Sequence, residues 1–376
     1  MLFTLLSPLL WVASQCYASA SSLRNMAYAR KILPTDRCTQ TPIISIGNLT
    51  TGGTGKTPVL HSIATALSTE HALKVVILTR GYGATTPLDY GQPTEPSHGD
   101  EAYWLQQQLP QCTVIVGKNR SKNALRAEKE YQPDVILLDD GFQHQKLHRD
   151  MDVVLVDQQR QLGNGHCLPL GPLREPQKAL SRATHIAFTK GKNKKKKKDK
   201  ERQKEPTKSD ALLNLLSASK PTAHIPFSPT HAYQQDKRLS LNELPKQADW
   251  TLVSGIAHPA DFETQVTQWL HQHSGHLKHH YIQSDHAPYT QQQIQRWESN
   301  TKDNEYLLTT EKDWPKIEPL LQVQNEQQPS LWYRWAITAH VDELIPHIMD
   351  TIITYQNQHS SKLRTDSKAS QKVPSS

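Results

Sequence analysis

One stretch decides the fold: IISIGNLTTGGTGKT, residues 43–57. Its apolar start has the character of a buried strand, and Pro58 to Ser68 has the spacing of a helix. Glycines between them let the backbone direct several N–H groups inward, where they bind phosphate oxygens, and the dipole of the following helix strengthens that attraction. Strand, glycine-rich loop and helix in this order predict a phosphate-binding P-loop rather than an ordinary turn.

Two side chains end this loop. Lys56 is expected to reach the β- and γ-phosphates of a nucleotide, and the hydroxyl of Thr57 to bind Mg²⁺. The usual G-x-x-x-x-G-K-[ST] pattern requires a glycine where this chain has Thr50, so the paired glycines instead resemble the glycine-doubled variant of the motif. The predicted cofactors are ATP and Mg²⁺.

A second motif, VILLDDGFQH at residues 135–144, joins an apolar run to paired acids. A carboxylate at such a strand end helps to hold Mg²⁺ in P-loop proteins, although paired acids also occur as helix caps and turns. Because the pair follows the P-loop by about eighty residues, the sequence favours Asp139 and Asp140 as metal-side acids.

Further continuous apolar runs occur at residues 74–79, 113–116, 134–138, 151–156 and 185–189, with helical spacers at 100–109 and 121–131. Continuous runs are typical of strands buried on both faces. The fold class predicted is therefore α/β: a P-loop NTPase-type, mostly parallel sheet flanked by helices. A second, smaller α/β domain is predicted from residues 250–254, 259–271 and 306–309.

The N-terminal segment, residues 1–31, is mostly apolar up to Ala20, and Arg24, Arg30 and Lys31 follow. Ala18-Ser19-Ala20 would suit a signal cleavage site, but no basic n-region precedes it. An uncleaved apolar helix that associates with the membrane surface is preferred to a cleaved signal or a helix packed on the protein itself. Its cationic flank would keep the chain on the cytoplasmic side, as a peripheral or monotopic protein of the inner membrane.

The net charge of +7 is concentrated in one place. Between Lys190 and Lys208 there are eleven basic and three acidic residues, so the rest of the chain is close to neutral. Such a run is usually a solvated, disordered loop; anionic lipid headgroups and nucleic acid are the less favoured partners. Four scattered cysteines without a CxxC pair argue against a disulfide framework or a zinc site and fit a reducing cytosol.

The predicted organisation has five parts. They are the N-terminal segment 1–31, a P-loop kinase core at 32–190, a lysine-rich disordered insertion at 191–210, a second α/β domain at 211–355 that completes the active site, and a disordered tail at 356–376.

Three weaker features depend on the two motifs. Asp100 and Glu101 begin a predicted helix, where acids ordinarily act as caps. Asp285-His286 near a proline is most often a turn. Arg120 and Arg174 are either surface charges or cations for a transferring phosphoryl group.

Together these residues resemble the tetraacyldisaccharide 4′-kinase family, the lipid A 4′-kinases of Gram-negative bacteria. The resemblance runs from about Arg24 to about Trp314, without the lysine-rich insertion. It rests on ordered blocks at residues 47–49, 52–58, 79–83, 99–101, 118–120, 139–144, 171–175 and 310–313.

The resemblance implies an ATP-dependent kinase that phosphorylates the 4′-hydroxyl of a tetraacyl glucosamine disaccharide 1-phosphate. It implies a glycolipid substrate at a membrane surface, no nucleic acid and no obligate protein partner. Asp100 is implied as the catalytic carboxylate that accepts the hydroxyl proton, assisted by His286 from the second domain. Metal-side residues are Thr57, Asp139 and Asp140. Nucleotide binding is implied for Asn48, Thr51, Gly52, Gly53, Thr54, Gly55, Lys56 and Thr57, and active-site lining for Arg80, Tyr82, Glu101, Arg120, Gln143, His144 and Arg174.

The sequence leaves two alternatives. One is a P-loop ATPase that acts as a nucleotide-dependent partner-binding switch, a class that often carries a lysine where this chain has Thr51. The other is a periplasmic binding protein, which an ATP site in a compartment without ATP disfavours.

Overall fold

The computed structural model describes residues 2–190, 208–285, 287–321 and 331–370. Its larger sheet is entirely parallel, in the order β3-β2-β4-β1-β5-β6-β7. The strands are β1 (Ile43–Asn48), β2 (Val75–Thr79), β3 (Thr113–Val116), β4 (Val135–Asp139), β5 (Met151–Asp157), β6 (His185–Thr189) and β7 (Thr222–Ile225). The helices of this part are α1 (Leu2–Ala29), α2 (Lys56–Thr65), α3 (Asp100–Gln108), α4 (Arg120–Tyr131) and α5 (Lys208–Ser219).

A second sheet has the order β11-β10-β12-β13-β8-β9. Its strands are β8 (Phe227–Gln234), β9 (Lys237–Ser240), β10 (Asp249–Ser254), β11 (His276–Ile282), β12 (Glu305–Thr310) and β13 (Trp332–Ala339). The strands β11, β10, β12 and β13 are parallel, whereas β8 and β9 add an antiparallel edge. The remaining helices are α6 (Pro259–Gln272), α7 (Gln291–Asn300), α8 (Trp314–Ile317) and α9 (Ile345–Ser370). The predicted α/β fold with two sheets is confirmed.

The centre of the larger sheet positions the site. Strand β1 lies between β4 and β5, and Ile46 of β1 is paired with Asp139 of β4. All six residues of β1 are buried, as the apolar run predicts. Because parallel strands end at the same edge, the loop after β1 and the acids after β4 lie side by side.

The chain crosses between the sheets twice, and this differs from the predicted boundaries. Strand β7 lies within the predicted second domain but belongs to the larger sheet. Helix α9 also returns to the larger sheet, where Ile348 and Ile352 are buried against its core and the Tyr355 hydroxyl donates to the carbonyl of Cys38 at 3.1 Å. The second sheet is therefore inserted between two segments of the nucleotide-binding core, β7 and α9.

The structure also differs from the predicted tail. Helix α9 continues through Ser370, whereas the sequence predicts disorder from Gln356. Its first turns are fixed by packing on the core, and a helix that has been nucleated in this way extends at low cost. Residues 371–376 and most of the lysine-rich insertion, 191–207, lie outside the described residues; the insertion's last three residues, 208–210, begin α5.

Helix α1 packs on the nucleotide-binding core through one face. Ser14, Ala18 and Asn25 lie on this face; Ser14 Oγ donates to the carbonyl of Cys167 at 2.7 Å and Asn25 Nδ2 to Glu175 at 2.8 Å. Apolar side chains elsewhere on the helix are exposed, namely Leu9, Trp11, Val12, Leu23 and Met26. Among the described residues, no helix combines the length and apolar character needed to cross a membrane.

We expect Ile352→Ala to destabilise the protein by about 2–5 kcal/mol, because the side chain is 1% exposed and its removal leaves a cavity between α9 and the core. The neighbouring Ile353 is 49% exposed, so Ile353→Ala is the matched control and should change stability by less than about 0.5 kcal/mol. Urea unfolding followed by circular dichroism measures both. Equal effects would contradict the packing of α9 on the core.

The fold should lose stability in mild acid. Burial lowers the pKa of four histidines, His61, His144, His185 and His231, to about 4 each. Their pKa in the unfolded chain is near 6.5, so the unfolded chain binds more protons between about pH 6.5 and 4, and stability falls as the pH falls through this window. A histidine that stays neutral throughout this window contributes at most about 1.4 kcal/mol per pH unit, and the half-buried His185 and His231 contribute less because solvent screens them.

We therefore expect His61→Gln to reduce the slope of the unfolding free energy against pH between pH 6.5 and 5. The reduction should correspond to about one proton fewer taken up on unfolding. Denaturant unfolding at a series of pH values measures the slope. Above pH 7.5 the mutant and the wild type should have parallel profiles. Parallel profiles below pH 6 as well would contradict a buried, neutral His61.

Candidate active site

The P-loop is organised around Asn48 and Lys56. The Lys56 ammonium donates to Asn48 Oδ1 at 3.2 Å, and Asn48 Nδ2 donates to Thr54 Oγ1 at 3.1 Å. Gly55 precedes α2 with φ of 85°, and a Cβ there would lie 2.5 Å from the ring of Phe227. Both the left-handed backbone and the close aromatic ring require glycine at this position.

Neighbouring segments fix the loop through its main chain. The Thr51 N–H donates to the carbonyl of Pro172 at 2.7 Å, and Thr189 Oγ1 donates to the carbonyl of Thr54 at 2.9 Å. Lys190 donates to the carbonyl of Gly53 at 2.9 Å and also binds Asp261 of α6, at 2.9 Å. The P-loop is thereby connected to the second sheet's domain.

The two acids after β4 have different surroundings. Asp139 Oδ2 accepts from Thr79 Oγ1 at 3.0 Å, whereas Asp140 Oδ2 accepts from Arg174 at 2.6 Å and its Oδ1 lies 3.6 Å from the Lys56 ammonium. Burial, together with the Asp140 and Glu101 carboxylates, raises the pKa of Asp139 to about 6. Burial also acts to raise the pKa of Asp140, but Lys56 and Arg174 hold it below its ordinary value.

These residues fit a Mg²⁺ ion. Asp140 Oδ1 is buried without a hydrogen-bond partner, beside the lysine that a nucleotide phosphate would engage. Thr57, also predicted as a ligand, donates its hydroxyl to Glu101 at 3.1 Å. Mg²⁺ at nucleotide sites is held by a few protein oxygens together with phosphates and water, so one hydroxyl and one or two carboxylates suffice.

Three of the residues implied as active-site lining lie at or next to the turn that carries the acids. Arg120 is buried and donates to the carbonyls of Asp139 and Asp140 at 2.7 and 3.0 Å, so it shapes the main chain of the acidic turn. Gln143 donates to the carbonyl of Asn48 at 2.9 Å. His144 is neutral at pH 7, because burial and Arg120 lower its pKa to about 4.

The predicted catalytic acid lies at the start of α3. Asp100 Oδ1 accepts from the N–H of Glu101 at 3.0 Å, and its Oδ2 lies 2.8 Å from the ammonium of Lys316. Glu101 contacts Thr57 on one side and the Lys312 ammonium, at 2.8 Å, on the other. The acids of α3 therefore lie between the P-loop and the second domain.

The loop after β2 carries Arg80 and Tyr82. Both are exposed, and Tyr82 is 70% exposed, which suits contact with a ligand rather than a core role. This loop lies close to the start of α3. A Cβ added at Gly99 would lie 3.0 Å from Cα of Gly81, and one added at Gly83 would lie 3.9 Å from Asp100 Oδ1.

The structure leaves one predicted site residue undescribed and adds two. His286 lies outside the described residues, although its neighbour Asp285 contacts Lys312 at 3.2 Å. Lys312 and Lys316 were not predicted as site residues, yet they pair with Glu101 and Asp100. The sequence signal for Lys312 was the block at residues 310–313, which contains it; Lys316 lies outside that block.

Known proteins resemble the chain over most of its length. A sequence model of the tetraacyldisaccharide-1-P 4′-kinase family, LpxK, matches residues 6–354. The tetraacyldisaccharide 4′-kinase of Geobacter metallireducens is 32% identical over 339 residues, which cover 85% of this chain and 91% of that protein. The enzyme of the same name from Desulfotalea psychrophila is 33% identical over 324 residues, covering 82% and 87%.

A solved structure has the same fold. The crystal structure of LpxK from Aquifex aeolicus in complex with ATP has a TM-score of 0.65 to this chain at 24% identity, covering 94% of this chain and 100% of that one.

The family match includes the P-loop, the paired acids after β4, the acids of α3 and the second sheet. The chain belongs to the tetraacyldisaccharide-1-P 4′-kinase family.

Proposed function

We propose that this protein transfers the γ-phosphate of ATP to the 4′-hydroxyl of a tetraacyldisaccharide 1-phosphate, a step of lipid A biosynthesis. The observation that carries the proposal is the arrangement of Lys56 and Thr57 beside Asp140 and Glu101, in a chain that belongs to a kinase family. The LpxK structure from Aquifex aeolicus contains ATP, which supports ATP as the phosphate donor.

The nucleotide phosphates bind the P-loop. Lys56 leaves its contact with Asn48 for the β- and γ-phosphates, and the N–H groups of the glycine-rich loop and of the start of α2 bind the remaining oxygens. Thr57, Asp139 and Asp140 would hold Mg²⁺, which would neutralise charge on the phosphate oxygens. Arg174, already paired with Asp140, adds a cation beside the transferring group.

The acceptor hydroxyl meets Asp100. A sugar hydroxyl is too weakly acidic to ionise beforehand, so Asp100 accepts its proton while the oxygen forms a bond to the γ-phosphorus and ADP leaves. His286 assists Asp100 from the second domain. Arg80 and Tyr82, exposed in the loop beside Asp100, contact the sugar headgroup.

The substrate's acyl chains require a membrane surface. Helix α1 contains no Asp or Glu, exposes Leu9, Val12 and Leu23, and is followed by Arg30 and Lys31. An apolar surface next to cations suits the interface of an anionic leaflet. We place the enzyme on the cytoplasmic face of the inner membrane, held peripherally or monotopically by α1.

The partner-switch alternative is not favoured, because the family match spans nearly the whole chain rather than the P-loop alone. A switch function would also not account for the ion pairs between the second domain and the acids of α3.

We expect Lys56→Ala and Asp100→Asn each to lower the turnover of γ-phosphate transfer by about 100-fold or more. Lys56→Ala removes the cation at the phosphates, and Asp100→Asn removes the proton acceptor. Transfer of labelled phosphate from ATP to tetraacyl disaccharide 1-phosphate in detergent micelles measures both.

The control is Asp303→Asn, an exposed acid in the turn before β12, which should retain full activity. If Lys56→Ala alone were inactive, the kinase assignment would stand and Asp100 would lose its role. A folded wild type that binds ATP but labels no lipid would refute the proposed function.

We expect Leu9→Glu combined with Val12→Glu to weaken binding to anionic vesicles by at least about tenfold, because each apolar side chain contributes about 1.5–3 kcal/mol when buried. Co-sedimentation with vesicles containing anionic phospholipid measures the bound fraction. Leu215→Glu, on the exposed surface of α5, is the matched control and should not change binding. Equal binding by all three proteins would exclude α1 as the membrane contact.

A further inference from the structure

Lys316 makes a buried ion pair across the two domains. Its ammonium, on α8 of the second domain, lies 2.8 Å from Asp100 Oδ2 at the start of α3, and the two side chains are only 14% and 11% exposed. Among the described residues, the Lys316 ammonium has no hydrogen bond of good geometry. Its contact with Asp100 is therefore primarily electrostatic, and it is strengthened by the low exposure of both groups.

The ion pair fixes how the Asp100 carboxylate is oriented. Oδ1 is held by the main-chain N–H of Glu101 at 3.0 Å, and Oδ2 faces Lys316. With both oxygens engaged from different directions, the carboxylate cannot rotate freely about its last side-chain bond. A proton acceptor needs such a fixed orientation, because transfer depends on the alignment of donor and acceptor.

The distribution of cations around the site also points to Lys316. On the nucleotide side, Lys56 and Arg174 both contact Asp140. On the acceptor side, two cations from the second domain contact the acids of α3: Lys316 at Asp100 and Lys312 at Glu101.

The segment that carries these lysines is anchored by hydrogen bonds to Asp313. Asp313, between them, is fully buried and accepts from Thr310 Oγ1 at 2.7 Å and from the N–H of Gly255 at 3.0 Å. Lys316 therefore contacts Asp100 from a turn that is anchored by hydrogen bonds.

We propose that Lys316 is a positioning residue for phosphoryl transfer, which holds the Asp100 carboxylate in the orientation that accepts the substrate proton. The inference rests on the proposed function, in which Asp100 is the proton acceptor. Lys316 acts on the turnover of bound substrate and not on nucleotide binding, because its contact is with the acceptor-side acid.

The test is a double-mutant cycle in the full-length enzyme, with kcat and KM for ATP and lipid measured in micelles. We expect Lys316→Met to lower kcat by about 10–100-fold, a share of what a general base contributes, with the KM for ATP within about threefold of wild type. Lys316→Arg, which keeps the positive charge, should recover most of this loss. In an Asp100→Asn background, Lys316→Met should lower kcat by less than about threefold, since it acts through Asp100.

The matched control is Lys278→Met, which breaks an ion pair with Asp249 at 3.0 Å on the surface of the same domain and should not change kcat. Because Lys316→Met leaves a buried carboxylate without its partner, thermal unfolding of each variant is measured. If Lys316→Met does not fold, Lys316→Gln takes its place in the cycle.

Two outcomes would overturn the inference: a kcat for the neutral variant within threefold of wild type, or an equal loss in wild-type and Asp100→Asn backgrounds. Failure of the premise is recognised separately: Asp100→Asn alone would retain wild-type kcat if Asp100 were not the proton acceptor, and a folded wild type that labels no lipid would refute the proposed function itself.

Discussion

The parallel pairing of β1 with β4 is the constraint on which the rest of the molecule depends. Pairing Ile46 with Asp139 places the glycine-rich loop and the two acids at one edge of the sheet, where Lys56 comes within 3.6 Å of Asp140. Hydrogen bonds along the buried strands fix this register, so the spacing of lysine and carboxylate follows from the backbone. Arg120 stabilises this arrangement by donating hydrogen bonds to the carbonyls of the acidic turn.

The second domain completes this edge from the opposite side. Lys190 and Asp261 connect α6 to the P-loop, while Lys312 and Lys316 reach the acids of α3. The acids on the nucleotide side and on the acceptor side therefore obtain their counter-charges from different parts of the chain. In the proposed mechanism, an active site divided in this way is complete only when the two domains are together, and their contact would exclude water during transfer.

The sequence predicted the parts of the site that depend on local pattern. The P-loop and the acids after β4 are contiguous motifs attached to buried strands, and the structure has the strands and helices that they imply. Lys316 could not be predicted, because its partner Asp100 is remote in the chain and a lone lysine in a short helix resembles a surface charge. The predicted tail differs from the structure because its Ser- and Lys-rich composition does not show that the helix begins earlier, at Ile345, where Ile348 and Ile352 pack on the core.

Helix α9 has a consequence for how the protein is made. The nucleotide-binding core begins with β1 but is covered by Ile348, Ile352 and Tyr355, which leave the ribosome after the whole second sheet. The apolar face of the nucleotide-binding core that α9 covers therefore stays exposed while the strands of the second sheet are synthesised and folded. Because exposed apolar surface of this kind promotes aggregation, the newborn chain should be most dependent on chaperones during this interval.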